Sequence, residues 1–414
     1  MERVFDRVVG LDVHKDTVVA CVRLPRGDGG RTAETATFGT TTADLLGLRD
    51  WLAAHQVQVV GMESTGVYWK PVFYLLDEDD VECWLLNARH LRNVPGRKTD
   101  VADAAWIAQL VEHGLVHPSF VPPKPIRELR NLTRYRRAQI QERGREVQRL
   151  DKLLQDAGIK LSSVATDVMG VSGRAMLAAL IGGQADPAAM ADLAKGRMRT
   201  KLPLLEKALR GRFTAHHALI VGQILAKVDF LDESIGRLSD EIDRVVLPFA
   251  RQRDLLDTIP GVNQRSAEEL LAEIGVDMGQ FGGAAQLASW AGICPGNHES
   301  GGKSKSGKTR KGSKWLRSTL TESATAASRS KGTYLSAQYG RIRGRRGHAK
   351  AIGAVRHSIL VAAYHMLDRD APYQDLRADW FLRRHSPEHR ARQLVHQLKA
   401  LGYEVEVQQG PTAA

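Results

Sequence analysis

Residues 7–115 alternate short β-branched runs with stretches of helical spacing. VVGLDVHKDTVVACVRL, residues 8–24, reads as two apolar runs around a polar turn, which predicts a hairpin. DLLGLRDWLAAH, residues 44–55, spaces its apolar positions for a helix. VQVVGMES is a short buried strand, YWKPVFYLLDE opens another helical stretch, and VECWLLN, residues 81–87, is again a strand. Strands alternating with helices predict an α/β domain.

Beyond the proline-rich connector PSFVPPKP, residues 118–125, the pattern turns helical. A long helix is predicted from about Ile126 to Ala157, with a broken apolar stripe of Leu129, Leu132, Tyr135, Ile140, Val147, Leu150 and Leu154. Its outer face is rich in arginine, including Arg130, Arg134 and Arg137. Such a face is either solvated or in contact with phosphate, and the excess of arginine over acid leaves both open. A second helix, from about His216 to Phe249, carries Val221, Ile224, Val228, Leu231, Ile235, Leu238, Ile242 and Val245 in alternating steps of three and four. That heptad seam suits either the arginine-rich helix of the same chain or a second protomer, and a coiled coil between protomers is the expectation. Residues 254–298 form a compact unit, 299–350 are dense in glycine, serine and basic residues, 351–367 return to an apolar helix, and 390–410 read as a helix with a short strand. The expected domains are 1–120, 121–250 for the long helices, 251–370, and a helical extension over 371–414.

Composition adds charge to this picture. The 414 residues carry a net charge of +12, which favours a nucleic acid or another polyanion as partner, although a ribosomal or membrane-surface protein has the same balance. Cys21, Cys83 and Cys294 are scattered in apolar stretches and read as thiols in a reducing compartment, with no Cys/His spacing for zinc. The N-terminus begins a strand at once, without signal-peptide anatomy, and no run approaches the ~18 apolar residues of a membrane span. A cytoplasmic protein with no membrane partner is expected.

An acidic set stands out against the basic background: Asp12, Glu63, Asp100 and Asp103. Asp12 lies within an apolar run, where a carboxylate is costly unless a cation or donors meet it. Glu63 ends the run VQVVGM, and Asp100 and Asp103 share one helix face at i, i+3. An N-cap explains Asp100 alone but not Asp12 or Glu63. The four are therefore taken as ligands for a hard divalent cation such as Mg²⁺, and two such ions in one cleft serve both sides of a phosphodiester.

Two further stretches bear on nucleic acid. In IPGVNQRSAEELLAEIG, residues 259–275, Gly261 lets backbone N–H groups approach a phosphate ahead of a helix N-terminus, as in half of a helix-hairpin-helix; an ordinary helical corner explains it equally well. In HESGGKSKSGKTRKGSKWLR, residues 298–317, a serine and two glycines precede Lys303, Lys305, Lys308, Arg310, Lys311, Lys314 and Arg317. A flexible phosphate-binding loop is the plain reading. Arg343, Arg345 and Arg346, in GRIRGRRGHAK, add a last basic cluster suited to backbone contact.

GLDVHKDT, MESTGVYW and NVPGRKTDVADAAWIAQL, followed by IPGV, SGGK and KGSKWLR, resemble the insertion sequence 110 family of transposases. The resemblance runs from about residue 7 to residue 405 and implies an RNase H-like (RuvC-like) N-terminal domain whose DEDD carboxylates match Asp12, Glu63, Asp100 and Asp103. Ser64, Thr65 and Gly66 follow the glutamate as in the family. It implies a mainly helical C-terminal transposase domain with a nucleophilic serine, whose matching position is Ser300; Glu299 stands where many members have serine, so Ser304 and Ser306 are alternatives. It also implies donor and target DNA as substrates, a guide RNA transcribed from the element's ends, and dimers pairing into a tetramer that joins Ser300 to the carboxylates. A DNA recombinase of a mobile element is the resulting expectation. Its rivals are a metal-dependent, junction resolvase-like nuclease using water, a nucleic-acid-binding protein without catalysis, and a sugar-kinase-like ATPase, the last disfavoured by missing glycine-rich phosphate loops.

Overall fold

The computed structural model describes residues 3–64, 66–77, 81–88, 91, 103–295, 298–305, 309–383 and 387–407. The chain divides into two compact units, one up to Val121 and one from Pro122 onward.

The first unit is a five-stranded sheet in the order β3-β2-β1-β4-β5. Strands β1 (Val8–Val13), β2 (Thr17–Pro25) and β3 (Arg31–Gly39) run antiparallel, and β4 (Val59–Glu63) and β5 (Glu82–Leu86) run parallel to β1. Helix α1 (Thr42–Ala54) connects β3 to β4, helix α2 (Trp69–Leu76) connects β4 to β5, and α3 (Asp103–Glu112) follows. Thr41 starts α1 by accepting the Asp44 backbone N–H on its side chain. Strand alternation sends Val9, Leu11, Val60 and Met62 to one face, where they pack with Leu45, Leu48 and Leu52 of α1 and Val72, Phe73 and Leu76 of α2. Val8, Val59, Trp84 and Leu86 face the other way, onto Ile107, Ala108 and Val111 of α3. Burial on both faces explains why β1 and β4 are nearly continuous apolar runs. The predicted hairpin, both later strands and the three helical stretches are all present. Strand β3 was not predicted: in RTAETATFG most side chains are exposed, so no apolar alternation marks it.

Among the described residues the second unit is helical apart from one short hairpin. The arginine-rich helix α4 (Lys124–Asp156) begins after Pro123 and lies along α7 (Ala215–Val246). Helices α5 (Val171–Ile181) and α6 (Leu202–Leu209) fall between them in sequence and complete a core of Leu150, Leu154, Met176, Leu177, Leu205, Val221 and Val228. The heptad seam of α7 is thus occupied over this stretch by α4 of the same chain. Ion pairs line the edge: Lys227 Nζ meets Glu146 Oε1 at 2.6 Å, and Arg143 holds Asp232 with two donors.

Helices α8 (Ala250–Asp257), α9 (Gln264–Ile274) and α10 (Ala284–Trp290) follow. Strands β6 (His298–Ser300) and β7 (Lys303–Lys305) make the hairpin, and α11 (Lys314–Ala327), α12 (Tyr334–Arg346), α13 (His348–Arg369) and α14 (Pro387–Ala400) complete the unit. The stretch predicted only as rich in glycine, serine and cations therefore contains two helices. Beyond α14, 403–407 form no strand. Among the described residues no helix is long and apolar enough to cross a membrane.

Candidate active site

The acids of the first unit are positioned by two nearly identical strands. Val8-Val9-Gly10-Leu11-Asp12 on β1 and Val59-Val60-Gly61-Met62-Glu63 on β4 pair in parallel, with Gly10 opposite Gly61 and Leu11 opposite Met62. Asp12 and Glu63 are each the next residue, so they occupy the same level on adjoining strands. Alternation puts both on the face that carries Gly10 and Gly61.

The two glycines explain the approach of α3. A Cβ on Gly10 would stand 2.0 Å from the Ala104 carbonyl oxygen and 2.5 Å from the Ala108 nitrogen. A Cβ on Gly61 would meet Val111 Cγ2 at 2.6 Å. The backbone of α3 therefore rests on the sheet where side chains are missing. Its C-terminal end lies by the N-terminal segment, where the Val4 N–H donates to the Glu112 carbonyl at 2.9 Å, so its first residue, Asp103, lies toward the strand ends that carry Asp12 and Glu63. Three of the four predicted ligands thus share one face and one end of the sheet. Asp100 lies outside the described residues. Asp12 Oδ2 is 3.1 Å from His14 Nε2, and its side chain is 24% exposed. The donor set is all carboxylate oxygen, which suits a hard cation, although among the described residues no three acids or imidazoles come close enough to enclose an ion.

A buried acid that the sequence did not flag anchors the far end of α3. Glu112, with a 1% exposed side chain, meets Arg23 Nε of β2 at 2.7 Å and Arg31 Nε of β3 at 2.5 Å. Its only sequence signal is a carboxylate closing an apolar helix. The pairs fix the helix against the sheet and hence the position of Asp103.

In the second unit Ser300 closes a two-residue β-hairpin. It pairs with Lys303 across Gly301 and Gly302, whose φ angles of +58° and +72° are those of a type I′ turn and favour glycine. The stretch predicted as a loop is therefore a hairpin at this point, with Lys303, Ser304 and Lys305 on its second strand. Thr65, Ser306 and Lys308 lie outside the described residues. A bridge between Pro295 and Thr309 closes the base. Below it Arg317 of α11 donates from Nη2 to the carbonyls of Gly292 (3.4 Å) and Arg310 (2.6 Å), one on each leg. Arg310, Lys311 and Lys314 are exposed, and Lys314 Nζ lies 5.0 Å from the Trp315 ring centroid.

Four residues expected at phosphate instead hold the protein together. Arg130 donates to the carbonyls of Ala272 (2.7 Å) and Glu273 (2.8 Å), capping the last turn of α9, where a cation complements the helix dipole. Arg134 grips Glu273 with two hydrogen bonds of 2.7 and 2.9 Å. Arg137 meets Glu269 at 2.5 Å and also reaches Thr319, Ser318 and Glu322 of α11. These arginines face acids of α9, over a hundred residues away in sequence. Gly261, with φ +87°, sits where a Cβ would be 2.4 Å from both the Ala327 nitrogen and the Ser323 carbonyl. Helix α11 lies against this turn where a Cβ would be, so Gly261 belongs to a packed corner. Arg343, Arg345 and Arg346 are exposed in the last turn of α12.

Two family models match the chain. The transposase model for the DEDD domain of IS110 elements matches residues 9–159, and the Transposase IS116/IS110/IS902 family model matches residues 253–340. No curated protein matches it. The first match spans Asp12, Glu63, Asp100 and Asp103, and the second spans Ser300 with its hairpin.

Proposed function

The chain belongs to the IS110 family of transposases, and from that premise we propose that it cuts and rejoins DNA through a Ser300-linked phosphodiester. The observation that carries the metal half of this reading is the alignment of Asp12 with Glu63 on β1 and β4, on the face where α3 brings Asp103. With Asp100 these acids would hold Mg²⁺, which supplies charge stabilisation to a phosphoryl group and a leaving oxygen. We read the sheet and its flanking helices as RNase H-like.

The Ser300 hydroxyl attacks phosphorus, its proton passes to a base, and the displaced deoxyribose oxygen leaves as a hydroxyl. Attack by the hydroxyl of the joining strand reverses the exchange and restores the serine. Each step breaks one phosphorus–oxygen bond and forms another, so no nucleotide cofactor is required. A guide RNA selects donor and target, and dimers pair into a tetramer in which one protomer's serine works with a partner's carboxylates. The exposed arginines of α12 and the cations flanking the hairpin supply backbone contacts.

The test is a denaturing gel of labelled DNA incubated with the protein and Mg²⁺. A covalent protein–DNA adduct is expected from the native chain, and none from Ser300→Ala or Asp12→Asn. Undiminished cleavage by Ser300→Ala would instead establish a resolvase-like nuclease with water as nucleophile. Sequencing of RNA that copurifies with the protein tests guidance, and bulk ribosomal fragments alone would count against it.

A further inference from the structure

One face of α11 carries positive charge that no acid among the described residues answers with an ion pair. Lys314, Arg317, Ser318 and Thr321 follow at i, i+3, i+4 and i+7, and with Lys311 and Gly312 they line a cavity of about 530 Å³. Arg317 spends its Nη2 on two neutral carbonyls at the foot of the hairpin. Beside the lining residue Thr321, Arg356 of α13 donates from Nη1 to Thr321 Oγ1 at 3.2 Å, and its buried Nε has no hydrogen-bond partner among the described residues. Burial, and then the charge of Arg317, lowers the pKa of Arg356 below the usual arginine range. Glu322, the nearest acid in the sequence of α11, is held by Arg137 and Ser318. A half-buried Arg356 guanidinium whose charge Arg317 disfavours is a cost that an anion would reduce.

We propose that this cavity binds a phosphate of a polynucleotide backbone at the foot of the Ser300 hairpin. Arg317, Lys311 and Lys314 line the cavity with positive charge, and Arg356 adds to it from beside Thr321, while the Ser318 and Thr321 hydroxyls donate to Glu322 and to the Arg317 carbonyl. Three lining cations, with Arg356 beside them, exceed what a lone carboxylate balances, and they suit a phosphate whose neighbours along a polymer pass the rim. Because Arg317 also clasps both legs of the hairpin, an occupied cavity would register the backbone against Ser300. The inference rests on the transposase reading only for the source of the phosphate.

The full-length protein is used throughout, with Arg317→Gln, Arg356→Gln and the exposed-site variants Lys311→Ala and Lys314→Ala. Inorganic phosphate at low ionic strength should raise the melting temperature of the native chain and fail to do so in the arginine variants. Affinities for a short DNA duplex and for a structured RNA are then measured against salt. The slope of log K on log salt should fall by about one for each phosphate contact removed, and the polymer whose slope falls identifies the source. The lysine variants keep the test open if an arginine variant does not fold. Slopes unchanged in every folded variant, beside intact DNA rejoining, would overturn the cavity and leave the transposase reading standing. Binding of inorganic phosphate here without binding of either polymer would overturn the polynucleotide assignment and the transposase reading with it.

Discussion

Arg136 of α4 and Glu268 of α9 form an ion pair, Nη2 to Oε2 at 2.7 Å, with both side chains only 3% exposed. Removing one partner strands the other charge in the interior. Arg136→Met is expected to cost about 3–5 kcal/mol in urea denaturation, because the lone carboxylate keeps its desolvation penalty. The double variant Arg136→Met/Glu268→Leu should recover most of that loss. A double variant as unstable as the single one would show that the pair itself, rather than the stranded charge, sets the stability.

Gly10→Ala should destabilise the first unit by roughly 1–3 kcal/mol, since the new methyl meets the α3 backbone rather than a movable side chain. Gly61→Ala should fall at the low end of that range, because its obstacles are the Val111 and Ile107 side chains. Thermal unfolding of the two variants checks the order. Gly10→Ala should also lower cleavage, as α3 can move only by shifting Asp103.

Asp12→Asn should behave oppositely in two assays. Without divalent metal it removes a negative charge from the face that also carries Glu63, so the melting temperature should hold or rise. With metal it should slow DNA cleavage on the order of 10³-fold, the equivalent of several kcal/mol of lost charge stabilisation. Loss of stability without metal would make Asp12 a structural residue, held by its contact with His14.

Cys83 carries the clearest pH signature. Burial, and then the negative charges of Asp77 and Glu82, push its thiol from 9.0 up to about 12. The unfolded chain releases this proton first, so the contribution is intact below pH 9.0 and is lost as pH climbs toward about 12. Stability in that window should fall by up to about 1.4 kcal/mol per pH unit from this group. Denaturation of the native chain and of Cys83→Ala, compared across the window, should show the steeper fall in the native chain.

Gly261→Ala separates packing from phosphate binding. The positive φ and the close backbone of α11 predict a loss of stability, while the salt dependence of DNA binding by the folded fraction should stay that of the native chain. A reduced salt slope would restore Gly261 to the nucleic-acid surface.

Local periodicity made the hairpin β1–β2, strands β4 and β5 and both long helices legible, because each buries a face whose apolar positions recur. Strand β3 was invisible for the converse reason: at the sheet edge it buries little. The α7 seam was legible as a seam, but periodicity names no partner, and α4 fills it. The arginines of α4 misled for a related reason. Nothing within 124–156 announces that Glu268, Glu269 and Glu273 will face Arg136, Arg137 and Arg134. Of the acids, spacing and apolar context singled out Asp12, Glu63, Asp100 and Asp103, whereas the role of Gly10 and Gly61 in seating α3 became visible only from the pairing of β1 with β4.

That pairing makes the sheet a ruler. Asp12 and Glu63 leave the backbone at one level of neighbouring parallel strands, whose separation of about 4.8 Å is set by main-chain hydrogen bonds. The anchor points of the two carboxylates are therefore graduated in peptide geometry. Lengthening either acid by one methylene, as in Asp12→Glu, would alter reach without altering that pitch.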